Sequence, residues 1–184
     1  MSAQEPHSSD ALLWHHEPEQ TGAPPRPVLR GWLKEAGLLT VRLRRLCESG
    51  FRLEVLDADA NSDQPFNNDI HRRVILHCGE QPCIYAETVI PAATAARHPW
   101  LNELGDEPLG ERLQAQPDVR RSEFLFARLA PDSLPRKLKL AHRHDAPLWA
   151  RQSDFHISEV SLTVTEVFLS GLIDYEKRRM KLAG

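Results

Sequence analysis

The residues best placed to do chemistry here are polar side chains set among apolar neighbours. The stretch "SLTVTEVFLSG" (161–171) is rich in branched and aromatic residues and reads as a β-strand. Strand side chains alternate between faces, which groups Leu162, Val164, Glu166 and Phe168. Glu166 is therefore an acid within the greasier of the two rows. The same count over "HRRVILHC" groups Arg72 with Val74, Leu76 and Cys78, and Arg73 with Ile75 and His77. If both apolar rows face one core, a carboxylate and a guanidinium share an interior. A buried carboxylate without a partner is costly. Burial raises its pKa and a nearby cation lowers it, and such perturbed groups gather at active sites. The pair suits a small, partly apolar carboxylate ligand: Arg72 would grip the carboxylate in bidentate fashion and Glu166 would meet a hydroxyl or a proton. A purely structural ion pair, or an arginine reaching from a strand end to water, explains the same residues. Glu87 raises the question more weakly, on a face shared with Tyr85 and Val89.

Other residues with chemical potential have plainer explanations. His15-His16-Glu17 and His142-x-His144 lack the i, i+4 spacing of a helical zinc pair and lie in polar surroundings, as surface histidines do. Cys47, Cys78 and Cys83 are odd in number and form no C-x-x-C, which argues against a disulfide framework or a cysteine zinc site. Cys47 and Cys78 read as small buried hydrophobes. Arg42, Arg44 and Arg45 form a solvated helix face rather than a phosphate site, because no Gly-rich or aromatic partner accompanies them. Trp32, Trp100 and Trp149 read as core anchors. No dinucleotide fingerprint, P-loop or G-x-S-x-G is present.

The elements that must position Glu166 and Arg72 follow from pattern. Helices are expected in "PRPVLRGWLKEAG", closed by Gly37, and in "TVRLRRLCESG", capped by Thr40. "FRLEVLDAD" alternates as a strand, and "ANSDQPFNND" has turn chemistry. A hairpin follows, with strands near 71–78 and 83–90 about a turn at 79–81. Two short helices, "AATAARHPWLNELG" and "PLGERLQAQ", precede the strand "RSEFLFARLAP". "LPRKLKLAHRHDA" is ambiguous, and "PLWARQSDFHIS" and "EVSLTVTEVFLSG" make a closing pair of strands. About six strands in sequential runs, with helices grouped rather than alternating, predict an α+β domain: one antiparallel sheet with helices on one side. Residues 1–26 read as a mobile tail with a short docked turn near Leu12–Trp14, 27–172 as the domain, and 173–184 as an exposed charged end.

Bulk composition narrows the function. The 184 residues suit one domain with a proper core, and the 41% hydrophobic and 27% charged shares are ordinary. A net charge of −3 gives no electrostatic case for nucleic acid or an anionic membrane. No apolar run approaches the roughly 20 residues that span a bilayer. The N-terminus lacks a basic start followed by an apolar stretch. These features point to the cytoplasm.

Five segments, in this order, resemble the chorismate–pyruvate lyase family: "GLLTVRLRRLC", "RRVILHCGEQPCIYAETVIP", "LGDEPLGERL", "RSEFLFARLAP" and "LWARQSDFHI…LTVTEVFL". They span residues 37–169. The resemblance implies an antiparallel sheet with helical flaps over an internal cavity. It implies elimination of pyruvate from chorismate to give 4-hydroxybenzoate for ubiquinone, with no cofactor or metal and in a monomer. It assigns the carboxylate-binding arginine to Arg72 and the family acid to Glu166, and places backbone contacts from the flaps at Leu39 and Leu109. There are departures. The family's hairpin arginine, expected to help ligand access, is Glu87 in "AETVIP", and "LWGRRS" becomes "LWARQS" with Ala150 and Gln152. A related alternative is a non-catalytic aromatic-carboxylate binding module, like the effector domains of GntR-type regulators. Those carry a winged helix-turn-helix ahead of the sensor, whereas the residues before 27 hold no recognition helix.

Overall fold

The computed structural model describes residues 13–56, 68–130, 133, 134, 138 and 147–182. Among these residues, seven strands pair antiparallel in one sheet: Phe51–Leu56 (β1), Ile70–Cys78 (β2), Gln81–Ile90 (β3), Val119–Arg121 (β4), Leu125–Leu129 (β5), Leu148–Ile157 (β6) and Val160–Phe168 (β7). The order is β1-β2-β3-β7-β6, and β6 then pairs with both β4 and β5. The two hairpins expected from the sequence are its backbone. Gly79 turns β2 into β3 at φ 58°, a left-handed conformation that costs glycine little. The β3–β7 pairing sets Ala86 beside Glu166 and joins the hairpins at the centre of the sheet.

The alternation counted from sequence separates the two faces. On one, Val74, Leu76, Ile84 and Phe168 pack against Trp32 and Leu33 of the helix Pro27–Leu33 (α1) and against Leu39 and Leu43 of the helix Leu39–Cys47 (α2). On the other, Ile75, Tyr85, Ala150 and Val167 pack with Leu134, Leu138 and the partly buried Trp14. Two short helices, Ala92–Arg97 (α3) and Leu109–Gln114 (α4), follow the first hairpin. Leu109 and Leu113 join Ile90, Ile157 and Leu162 in a third cluster.

Several expectations need correction. A seventh strand, β4, carries the residues "VRR", too short and too polar to show an alternating pattern. Residues 13–26 are docked well beyond one turn. His15 and Phe126 exchange backbone hydrogen bonds of 2.8 and 2.7 Å, and Pro18–Thr21 forms a 3-10 helix. Glu19 pairs with Arg30 at 2.7 Å, and Glu17 pairs with Lys34. At the other end, residues read as a charged tail belong to the helix Ser170–Leu182 (α5). Leu172 is buried in the first core, and Glu176 accepts a hydrogen bond from Trp32 Nε1 at 2.9 Å. Thr40 lies inside α2 rather than capping it, since Leu38 is the N-cap. Cys47 and Cys78 are joined in a disulfide, their Cα atoms 5.2 Å apart. Residues 31 apart in sequence gave no local sign of this, because only the packing of α2 on β2 brings them together. Cys83 is free, and burial pushes its thiol up to about 11. Most of the expected turn "ANSDQPFNND" (residues 60–67), His142 and His144 lie outside the described residues.

The seat of α5 depends on a glycine. A Cβ at Gly171 would run into the backbone carbonyl oxygen of Pro82, which cannot swing aside as a side chain could. Gly171→Ala is expected to destabilise the fold by about 2 kcal/mol, the ordinary scale of overpacking. Urea denaturation checks this, and an unchanged midpoint would refute the close approach.

Candidate active site

One pocket lies between the first sheet face and the starts of α2 and α4. Its floor includes Val74, Leu76, Ala86, Thr88, Val164 and Glu166. Its roof is the turn and first residues of α2 (Gly37–Thr40) and the segment Pro108–Gly110 with Leu113. Arg72, Arg121 and Arg151 also line it. The residues singled out in the sequence divide clearly. Arg72, Glu166, Leu39 and Leu109 all border this space. Glu87 does not, because its neighbours Ala86 and Thr88 face the pocket and Glu87 lies on the opposite face. There it accepts from Arg73 Nε at 2.9 Å, lies 3.1 Å from His71 Nδ1, and takes a long 3.5 Å bond from the Tyr85 hydroxyl. Burial, with Glu87 beside it, raises the Tyr85 phenol well above its usual range.

Arg72 and Glu166 share the pocket without pairing. Glu166 instead accepts from Arg151 Nε at 2.6 Å. Arg151 stands opposite Glu166 in the β6–β7 ladder, so the strand register itself makes the pair. Its guanidinium is nearly sealed at 1% exposure and sits 4.1 Å over the Phe124 ring. Arg151 Nη1 donates to the carbonyls of Leu33 at 3.1 Å and Glu35 at 2.7 Å. These two carbonyls end α1 and lead toward the roof, so the acid is tied to the helix layer through one side chain.

Arg72 does a comparable job on the other flap. Its Nη2 donates to the carbonyls of Gly105 at 3.0 Å and Glu107 at 2.9 Å, on the loop leading into α4. Burial lowers its pKa, yet an arginine so placed stays cationic. The flaps also touch each other. Thr40 donates to Glu111 at 3.0 Å, Arg44 pairs with the same carboxylate, and a Cβ on Gly110 would meet Leu38 at 2.9 Å. Leu39 and Leu109 are the first residues of α2 and α4. Amides in a first helical turn have no intrahelical acceptor, so Leu39 and Leu109 can offer N–H groups to a ligand oxygen.

Arg151 and Arg121 were missed in the sequence. Face counting would have found Arg151, since Trp149, Arg151, Ser153 and Phe155 share one side of β6. Nothing in the three residues of β4 distinguishes Arg121. Among the described residues, no group of three or more His, Cys, Asp or Glu is placed to hold a metal ion. A largely apolar pocket with three guanidiniums and one carboxylate has the chemistry to suit a small anionic ligand.

Comparison with known proteins gives that class its family. The chorismate lyase family model matches residues 9–180, and the chain belongs to that family. A probable chorismate pyruvate-lyase of Cupriavidus pinatubonensis is 38% identical over 169 residues, covering 83% of this chain and 86% of its own. Its counterpart in Nitrosospira multiformis is 32% identical, covering 88% and 94%. That of Ralstonia nicotianae is 32% identical, covering 92% and 97%. No described helix is long and apolar enough to cross a membrane.

Removing Arg151 would leave Glu166 without its cation and two carbonyls without their donor. Arg151→Met is expected to cost about 3 kcal/mol of folding stability, the low end for breaking a buried pair, since Glu166 keeps some exposure to the pocket. Chemical denaturation of the two proteins measures it. A loss below about 1 kcal/mol would show that the pair behaves as a surface contact.

Proposed function

We propose that the protein eliminates pyruvate from chorismate and leaves 4-hydroxybenzoate, the ring acid destined for ubiquinone. The observation that carries this reading is the meeting of Arg72 and Glu166 in one roofed, largely apolar pocket of a chorismate lyase family chain. Chorismate carries a ring carboxylate, a ring hydroxyl and an enolpyruvyl ether. The ether C–O bond breaks, a ring hydrogen is lost, and the electrons of that C–H bond complete the aromatic ring. Pyruvate leaves with the proton count conserved. The reaction is redox-neutral and gains its drive from aromatisation. The protein's part is to hold the reactive conformer, keep water out and stabilise charge on the departing group.

Arg72 takes the ring carboxylate in this scheme. Glu166 accepts from the ring hydroxyl or handles the ring proton, held in place by the 2.6 Å hydrogen bond from Arg151 Nε. Leu39 and Leu109 supply backbone N–H groups from the two flaps. Parting of contacts such as Thr40–Glu111 would widen the exit for product, so flap opening contributes to turnover in this scheme. The reading carries with it a cytoplasmic monomer. Family membership favours an enzyme over an effector-binding module, for which no separate observation speaks.

Pyruvate release from chorismate, followed with a coupled lactate dehydrogenase readout, tests the activity. Glu166→Gln keeps the shape and removes the charge, and is expected to lower kcat by roughly 10²-fold or more, the usual scale for a group managing a proton. A variant as fast as the parent protein would sink the assignment of Glu166. A parent protein that binds 4-hydroxybenzoate yet releases no pyruvate would favour the binding module instead.

A further inference from the structure

The pocket's charges do not balance, and the imbalance points to a second anion. Of the three arginines, Arg151 is neutralised by Glu166 at 2.6 Å. Among the described residues, Arg72 bonds only to backbone carbonyls. Arg121 donates to the carbonyl of Ala36 and lies over the rings of Phe124 at 4.5 Å and Phe155 at 5.8 Å. Among the described residues, neither Arg72 nor Arg121 is in an ion pair. The acids near Arg121 are engaged elsewhere: Glu166 by Arg151, and Glu35 by Arg42 at 3.1 Å and by the Gly37 amide at 2.9 Å. Two partly desolvated guanidiniums without counterions in one largely apolar pocket are costly when empty and suit a ligand with two negative groups.

Position supports the same conclusion. Arg121 lines the pocket and also a second, shallower groove that opens between Ala36–Leu38 and Gly110–Gln114. Arg72 is held toward the Gly105–Glu107 loop, on β2, whereas Arg121 is on β4 at the far edge of the sheet. The two cations thus reach the pocket from strands that β3, β7 and β6 separate.

We infer that Arg121 binds the carboxylate of the enolpyruvyl side chain, so that Arg72 and Arg121 divide the two carboxylates of one substrate between them. The inference rests on the chorismate reading above. It gives Arg121 a direct role in the reaction, because the enolpyruvyl group is the fragment that departs. As the ether C–O bond breaks, negative charge develops on that fragment, and a guanidinium already on its carboxylate stabilises it without reorganising. The groove beside Arg121 is then the side from which the three-carbon acid leaves, while the ring acid stays on Arg72.

A pair of unreactive ring acids isolates the second carboxylate. The compound 3-carboxymethoxy-4-hydroxybenzoate keeps the ring carboxylate, hydroxyl and ether-linked acid, and 3-methoxy-4-hydroxybenzoate lacks only the last. The parent protein is expected to bind the first roughly 10–100-fold more tightly, the worth of one charge-assisted contact. Arg121→Gln should abolish that preference while leaving affinity for the methoxy compound within about 2-fold, since the lost contact is local. Arg121→Lys should restore part of the preference, as a cation without the planar fork. Equal affinities in the parent protein would overturn the inference without any variant. So would a preference that survives in Arg121→Gln, or an equal loss for both compounds, which would mark a merely structural role through Ala36. Pyruvate release in the parent protein is read separately. Its absence would fail the chorismate reading, whereas its presence with equal affinities would fail only the role of Arg121.

Discussion

The structure turns on the bond between Arg151 and Glu166. A carboxylate in an apolar strand row is tolerable only with a cation at hand, and the β6–β7 register supplies one directly across the ladder. The guanidinium does more than neutralise. With its remaining N–H groups it holds the carbonyls at the end of α1, and through its face it packs on Phe124. Breaking the ladder register would therefore expose the acid and also loosen the helix layer that roofs the pocket. Arginine suits this position because its planar fork serves several acceptors at once, which a lysine cannot.

The roof is held by the groups that would hold a ligand. Arg72 fixes the loop before α4 while facing the space where a ring carboxylate would sit. Glu111 joins the two flaps through Thr40 and Arg44, and the absence of a side chain at Gly110 lets Leu38 lie close. In the proposed reading, the side chains that bind the ligand also tie the roof together.

Glu87 shows how a charge can change without reaching the pocket. In the sequence it stands where the resemblance implies an arginine that helps ligand access. In the fold it faces the other side of the sheet, where Arg73 and His71 meet it. The local ion pairs account for an acid at this position, and the pocket draws its cations from Arg72, Arg121 and Arg151 instead.

Much of this was legible from one dimension. Period-two alternation determined that Glu166 and Arg72 lie on apolar strand faces, and the turn at Gly79 with the sequential strands determined an antiparallel α+β sheet. What could not be read was which strand lies beside which, and hence who meets whom. Arg151 pairs with Glu166, Cys47 meets Cys78, and Arg121 reaches the pocket from a three-residue strand with no pattern of its own. The docking of residues 13–26 and of α5 was hidden for the same reason, since polar ends settle where distant carbonyls and charges receive them. Alternation is a property of neighbours in the chain, so the sequence by itself determined which face each side chain takes. Partnership is a property of neighbours in space, so the tertiary structure alone decided which acid each arginine neutralises and which arginines remain for a ligand.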